Sequence, residues 1–244
     1  MNLAIDIGNT LVKIAVFDNG QLTGLKTNEG ISVSDIQQFV QSYPDIKAAV
    51  IVSVKDFPAS IEDYLRGNFR FLRFDSQTPI PLTSAYSTPE TLGSDRLAAA
   101  IAAHSLMPVN DVLVINAGTA ITYDIITGDG TFRGGAISPG LMMRFKALHT
   151  FTGRLPLLNI ISDTPVIGQS TNESILSGVL YGTIAEMDGM IERYGLLFPG
   201  INAILSGGDN NYFDKRLKNK TFAIPNLVLT GLNITLEYNL EKSF

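Results

Sequence analysis

Short apolar runs broken by glycine turns open the chain. Residues 3–5 and 11–17 predict two strands joined by the turn Asp6-Ile7-Gly8-Asn9-Thr10. Asn19-Gly20 offers the two residue types that a tight hairpin favours, so residues 21–26 are expected to form a third, antiparallel strand. The continuous β-branched run at 48–54 reads as a strand covered on both faces, with helices expected around it at 34–42 and 60–66. A long helix is expected after Pro89, with the proline near its first turn. Its alanine-rich body, residues 96–104, favours close packing.

The same order returns from Asp111. Residues 112–116 predict a buried strand, followed by the turn Ala117-Gly118-Thr119, a strand at 121–126, the hairpin Gly128-Asp129-Gly130 and a strand at 132–137. Shifting the first block by 110 positions sets Asp6 on Asn116, Gly8 on Gly118 and Gly20 on Gly130. This is a repeat of architecture more than of identity: two three-stranded meanders, each followed by helices. Ser170-Thr171-Asn172-Glu173 resembles a capping box opening a helix over 173–194. A strand at 203–205 runs into Ser206-Gly207-Gly208-Asp209, and 226–240 predicts a last helix. The expected organisation is two tandem α/β domains with mixed sheets flanked by helices, 1–108 and 109–244.

Composition removes several chemistries. The 244 residues are 45% apolar and 17% charged, ordinary for a folded chain. Without cysteine there is no disulfide, thiol nucleophile or cysteine-held zinc, and His104 and His149 are the only histidines. Both are read as packing or surface groups. A net charge of −5 argues against nucleic acid as a partner. No apolar run reaches the roughly 18–20 residues of a membrane span. The N-terminal residues have no basic region ahead of an apolar core, so no signal peptide is expected and the expected address is cytoplasmic.

Three segments can carry chemistry. In Asp6-Ile7-Gly8-Asn9-Thr10 a carboxylate at a strand end precedes a glycine turn whose N–H groups can approach phosphate closely. Asp6 can hold Mg²⁺, directly or through water, and Lys13 can add positive charge towards phosphate oxygens. The turn Asn116-Ala117-Gly118-Thr119 occupies the matching place in the repeat, and two such turns facing one another would clamp a triphosphate. In Gly93-Ser94-Asp95-Arg96, one reading makes Ser94 or Asp95 a helix N-cap. The other makes Asp95 a general base and Arg96 the holder of an anionic substrate group. Gly134-Gly135 and Ser206-Gly207-Gly208-Asp209 fit either close backbone approach to a ligand or tight crossings of elements.

With these residues in view the chain resembles the type III pantothenate kinases of the acetate and sugar kinase/Hsc70/actin superfamily, over nearly its whole length. The resemblance rests on Asp6-Ile7-Gly8-Asn9-Thr10 with Lys13, and on Tyr86 through Gly93-Ser94-Asp95-Arg96. It continues through Gly118-Thr119-Ala120 with Thr122 and Asp124, Gly134-Gly135, Pro139-Gly140, Leu155-Pro156 and the 168–178 stretch containing Thr171. It implies two ribonuclease-H-like, actin-like ATPase domains, a homodimer, and ATP-dependent phosphorylation of pantothenate to 4′-phosphopantothenate, the first step towards coenzyme A. It further implies that Asp6, Ile7, Gly8, Asn9, Thr10, Leu11, Val12, Lys13 and Thr119 contact ATP, with Mg²⁺ reaching Asp6 through the phosphates. Tyr86, Gly93, Ser94, Asp95, Arg96 and Thr171 would hold pantothenate, and Asp95 matches the family's base.

One position departs from the family pattern. Asn116 stands where the family usually has an Asp that binds an activating monovalent cation, K⁺ or NH₄⁺. An amide keeps the oxygen but loses the charge, so weak cation binding is expected, or reliance on Asp124 or a neighbouring chain. Asn116 is also the one feature favouring a non-catalytic nucleotide- or pantothenate-binding regulator; the retained Asp6, Lys13, Asp95 and Arg96 favour an enzyme.

Overall fold

The computed structural model describes residues 1–242; residues 243 and 244, the end of the expected second domain, lie outside the described residues. The chain begins with β1 (Asn2–Ile7), β2 (Val12–Asp18) and β3 (Gln21–Asn28), an antiparallel meander. Next come α1 (Val33–Val40), β4 (Ala48–Ser53), α2 (Ala59–Asn68) and β5 (Arg70–Arg73). A short β6 (Thr83–Ser84) and a 3₁₀ turn at Pro89–Thr91 precede α3 (Ser94–Leu106). The second block holds β7 (Val112–Ala117), β8 (Ala120–Thr127), β9 (Thr131–Pro139), α4 (Leu141–Thr150) and α5 (Thr171–Leu197). It continues with β10 (Asn202–Ser206), α6 (Asn210–Phe213) and β11 (Phe222–Ala223), and α7 (Leu227–Glu241) follows.

The first sheet runs β3-β2-β1-β4-β5 and the second β11-β10-β7-β8-β9-β6. Leaving β6 aside and reading the second from β9, the two orders are the same strand for strand. The repeat expected from the glycine spacing is therefore a repeat of topology. β4 adds parallel to β1, and β10 adds parallel to β7. The glycine alignment holds best at the hairpins: Asn19 and Gly20 have φ of 48° and 76°, and Gly130 also has 76°. It drifts at the first turns, which span residues 8–11 in one copy and 118–119 in the other.

The helix start differs from one expectation. Pro89 opens the 3₁₀ turn, while α3 begins at Ser94 with Gly93 as N-cap and no side-chain cap. Neither Ser94 nor Asp95 caps the helix, and both lie inside it. At α5 the Ser170 hydroxyl accepts from the Glu173 N–H at 3.2 Å, but the Glu173 carboxylate turns back to the Gln169 N–H at 2.8 Å. β5, β6 and β11 were not expected; they run four, two and two residues.

By contact the chain forms two compact units. The first comprises Met1–Val109, Asp129–Arg133 and the segment from Asn226 onward; the second comprises Asn110–Gly128 and Gly134–Pro225. Each has its own core. In the first unit Leu3, Ile5, Ile14, Val16, Ile51 and Ile61 are fully buried between the sheet and α1 and α2. In the second, Leu113, Ile115, Phe145, Leu180 and Met187 play that part. On the other face of the first sheet, α7 packs against α3, β1 and β4. The alanines of α3 allow that approach. A side chain on Gly231 would overlap the Ala98 carbonyl, so the helix backbones touch there without any intervening group.

Candidate functional site

In the first unit the end of β1 carries Asp6, partly buried, paired across the ladder with Lys13 of β2 and flanked by Val52 of β4. The following turn closes where the Gly8 N–H donates to the Leu11 carbonyl at 3.0 Å. A Cβ on Gly8 would sit 3.0 Å from that same oxygen, tighter than most real contacts, so the turn suits glycine. Asn9, Thr10 and Leu11 are exposed at its crest, while Ile7 and Val12 are buried and anchor its two ends. The sequence reading missed Lys55 here. Its ammonium donates to the Asn9 carbonyl at 3.2 Å, and the Ser53 hydroxyl, accepting the Lys55 N–H at 3.3 Å, fixes the turn that presents it. The only sequence signal for this lysine is its place just beyond a strand adjacent to β1.

The first turn of α3 belongs to the same neighbourhood. The Gly93 carbonyl accepts the Arg96 and Leu97 N–H groups at 3.1 and 3.2 Å, which sets Asp95 in that turn. A methyl group on Gly93 would lie 2.6 Å from Asp95 Oδ1. Asp6 responds to this geometry. Burial, then the negative charge of Asp95, push its carboxyl up to about 6, and Lys13 only partly offsets them. Two carboxylates that repel one another beside a glycine turn suit a hard divalent cation, which would offset their repulsion.

Arg96 is 94% buried by complement of its 6% exposure. Its guanidinium lies 5.7 Å from the Tyr86 ring centroid and 5.9 Å from that of Phe132, whose rings are 6.0 Å apart. Phe132, absent from the sequence-derived site, arrives on the first residues of β9. Tyr86, Gly93, Ser94, Asp95 and Arg96 thus share the first unit with Asp6 and Lys13.

Asn116, Thr119 and Thr171 lie in the second unit. Asn116 sits at the end of β7 between Thr122 of β8 and Ser206 of β10. The buried Thr122 hydroxyl has no hydrogen-bond partner, and Asp124, on the same face of β8, is 1% exposed. The Gly118-Thr119 turn is clasped by glycine backbones: the Gly140 N–H donates to the Thr119 carbonyl at 3.0 Å, and a side chain on Gly140 would overlap the Gly118 carbonyl. Gly207, at φ 96°, packs on Ala117 in the same way. Among the described residues no group of three or more His, Cys, Asp or Glu side chains is placed to hold a metal ion.

Thr171 lines an open pocket of about 1050 Å³ together with Arg144, Leu155, Gly168 and Gly178. Leu155 and the 168–178 segment, separate in sequence, therefore converge on one cavity. Arg144 is fixed by the Glu186 carboxylate at 2.6 Å and the Ser138 hydroxyl at 2.7 Å, and the Tyr123 hydroxyl donates to Glu186 at 3.0 Å. His149 is exposed, its Nδ1 2.8 Å from the Leu155 carbonyl, and His104 is half-buried with Nδ1 unpartnered.

A doubled β3-β2-β1-β4-β5 sheet with a glycine turn after each leading strand defines the actin-like ATPase and sugar-kinase class. Solved structures agree on the fold. The activator of 2-hydroxyisocaproyl-CoA dehydratase from Clostridium difficile, with bound ADPNP, superposes at a TM-score of 0.57, covering 99% of this chain and 96% of its own at 13% identity. Component A of (R)-2-hydroxyglutaryl-CoA dehydratase from Acidaminococcus fermentans gives 0.55, covering 99% and 98% at 12% identity.

Sequence comparison narrows the class. The type III pantothenate kinase family description matches residues 2–193. The curated type III pantothenate kinase of Phocaeicola vulgatus is 45% identical, covering 98% of this chain and 99% of its own, and that of Christiangramia forsetii is 42% identical over 98% and 99%. This chain belongs to the type III pantothenate kinase family.

Proposed function

We propose that the chain performs its family's reaction with Asp95 as general base, the turn from Asp6 to Lys13 holding the nucleotide phosphates. The reaction follows from membership: the enzyme is a phosphotransferase that phosphorylates pantothenate with ATP to give 4′-phosphopantothenate, opening coenzyme A synthesis. The observation carrying the residue assignment is that Asp95 lies within electrostatic reach of Asp6 at the glycine turn. A divalent cation, Mg²⁺ in this reading, supplies charge neutralisation at the phosphates when bound. Asp95 accepts the proton of the primary hydroxyl as its oxygen bonds to the γ-phosphorus, and the bond to the bridging β,γ-oxygen breaks to release ADP. Lys13, Thr119 and the exposed crest of the turn, Asn9 to Leu11, hold phosphate oxygens in place. Tyr86, Ser94, Arg96 and Thr171 hold pantothenate, with the aromatic stacking of Arg96 fixing the plane of its donors. ADP release measured in a coupled assay should require pantothenate; release independent of it would overturn this reading.

Three consequences can be measured. Gly93→Ala places its methyl against Asp95 Oδ1, a movable side-chain atom, so folding is preserved while the carboxylate is displaced. The expected result is a kcat lower by roughly 10–100-fold with a nearly unchanged melting temperature. Asn116 presents no charge to a monovalent cation. Turnover should therefore vary little between potassium and a larger inert cation at fixed ionic strength, and an absolute, tightly saturating potassium requirement would contradict that. The same reading takes the enzyme as a homodimer, supported by the exposed Ile137, Phe151, Val166 and Ile167 of the second unit. Sedimentation at micromolar concentration should report twice the chain mass. No helix among the described residues is long and apolar enough to cross a membrane, and the reading places the enzyme in the cytoplasm.

A further inference from the structure

We propose that Asn226 is a positioning residue for phosphoryl transfer, its side-chain oxygen fixing the Lys13 ammonium beside the phosphate turn. Asn226 sits at the N-cap of α7 with φ 57° and ψ 29°, one of three non-glycine residues of positive φ among the described residues. An N-cap ordinarily takes an extended backbone and turns its side chain to the helix's first N–H groups. Asn226 does neither. Its carbonyl accepts the Thr230 N–H at 3.1 Å and so starts the helix, while its Oδ1 accepts from Lys13 Nζ at 3.1 Å, 213 residues away in sequence. The left-handed backbone, which asparagine tolerates better than most residues, frees the amide for that contact.

The contact answers an electrostatic problem. The start of a helix is its positive end, a poor neighbour for an ammonium group. Asp6, Lys13's partner across the ladder, attracts it. Left to those two influences, Lys13 would swing onto Asp6 and neutralise the carboxylate that the divalent cation needs. The neutral oxygen of Asn226 offers a third partner. It holds the ammonium without quenching its charge, leaving that charge for a phosphate oxygen. This inference rests on the proposed nucleotide role of Lys13. Asn226 itself lies beyond residues 2–193, the part matched by the family description.

The test is a double-mutant cycle on the full chain, reading KM for ATP and kcat separately for Asn226→Gly, Asn226→Asp, Lys13→Met and Asn226→Gly with Lys13→Met. Glycine accepts the left-handed backbone without strain, so folding is kept, and melting temperature verifies it. Asn226→Gly should raise KM for ATP roughly tenfold, the loss of one hydrogen bond to a charged group, and Asn226→Asp, whose carboxylate would pair with the Lys13 ammonium and quench its charge, should not restore it. In the Lys13→Met background Asn226→Gly should change KM by less than about twofold. If Lys13→Met raises KM but Asn226→Gly does not, this inference alone falls; additive effects of the two changes overturn it as well. If Lys13→Met leaves KM unchanged, the nucleotide role of Lys13 falls and this inference with it.

Discussion

Asp95→Asn should lower kcat about 10²–10⁴-fold while leaving ATP affinity within a small factor, because an isosteric amide removes a proton acceptor and no phosphate contact. The geometry makes the change clean. Gly93, not residue 95, caps α3, and the first-turn hydrogen bonds run to the Gly93 carbonyl, so the helix start does not depend on the carboxylate. Steady-state turnover with pantothenate and calorimetric titration with a non-hydrolysable ATP analogue separate the two effects. Equal turnover in both proteins would remove Asp95 from the role of base.

Asp6→Asn should do two opposite things: abolish most turnover and stabilise the nucleotide-free chain. Loss of the carboxylate proposed to face the cation is expected to cost about 10²-fold or more in turnover, in keeping with the several kcal/mol such ions supply. The gain in stability follows from proton linkage. The carboxyl moves from an ordinary 3.8 to about 6 on folding. The folded state thus holds its proton more firmly than the unfolded state, and stability falls as pH rises from about 4 to about 6. Above that range the folded chain carries a disfavoured charge, worth on the order of 1 kcal/mol after allowance for solvent screening at a partly exposed site. Asparagine removes it, for a melting temperature higher by roughly 2–4 °C at pH 7.5. Below about pH 3, under both values, the position is uncharged in either protein and either state, and the difference should vanish. A stabilisation that persists there would locate its cause elsewhere.

Much of the fold could be read locally. The Asn19-Gly20 hairpin, the buried β4 run and the two glycine turns are set by residues adjacent in sequence, and their repetition foreshadowed two sheets of one strand order. What escaped was short or distant. β5, β6 and β11 are edge strands too brief to show a period of two. The capping of α3 by Gly93 looked like a choice between Ser94 and Asp95, since hydroxyl and carboxylate groups usually win that position; here both are taken into the helix. Asp6, Lys13 and Asp95 were legible because strand ends and helix starts concentrate chemistry. Lys55, Phe132 and Asn226 were not, because each reaches its partner through sheet neighbours or over a long sequence separation.

The seat of α7 against α3 and β1 has a consequence for synthesis on the ribosome. The helix that starts at Ser94 rests its alanine face on Gly231, which is translated more than a hundred residues later. The second unit emerges in between and can collapse around its own core. The half bearing the proposed base must wait, half-clothed, for its last helix, so a nascent chain stalled before α7 would expose an apolar sheet face that a chaperone could grasp.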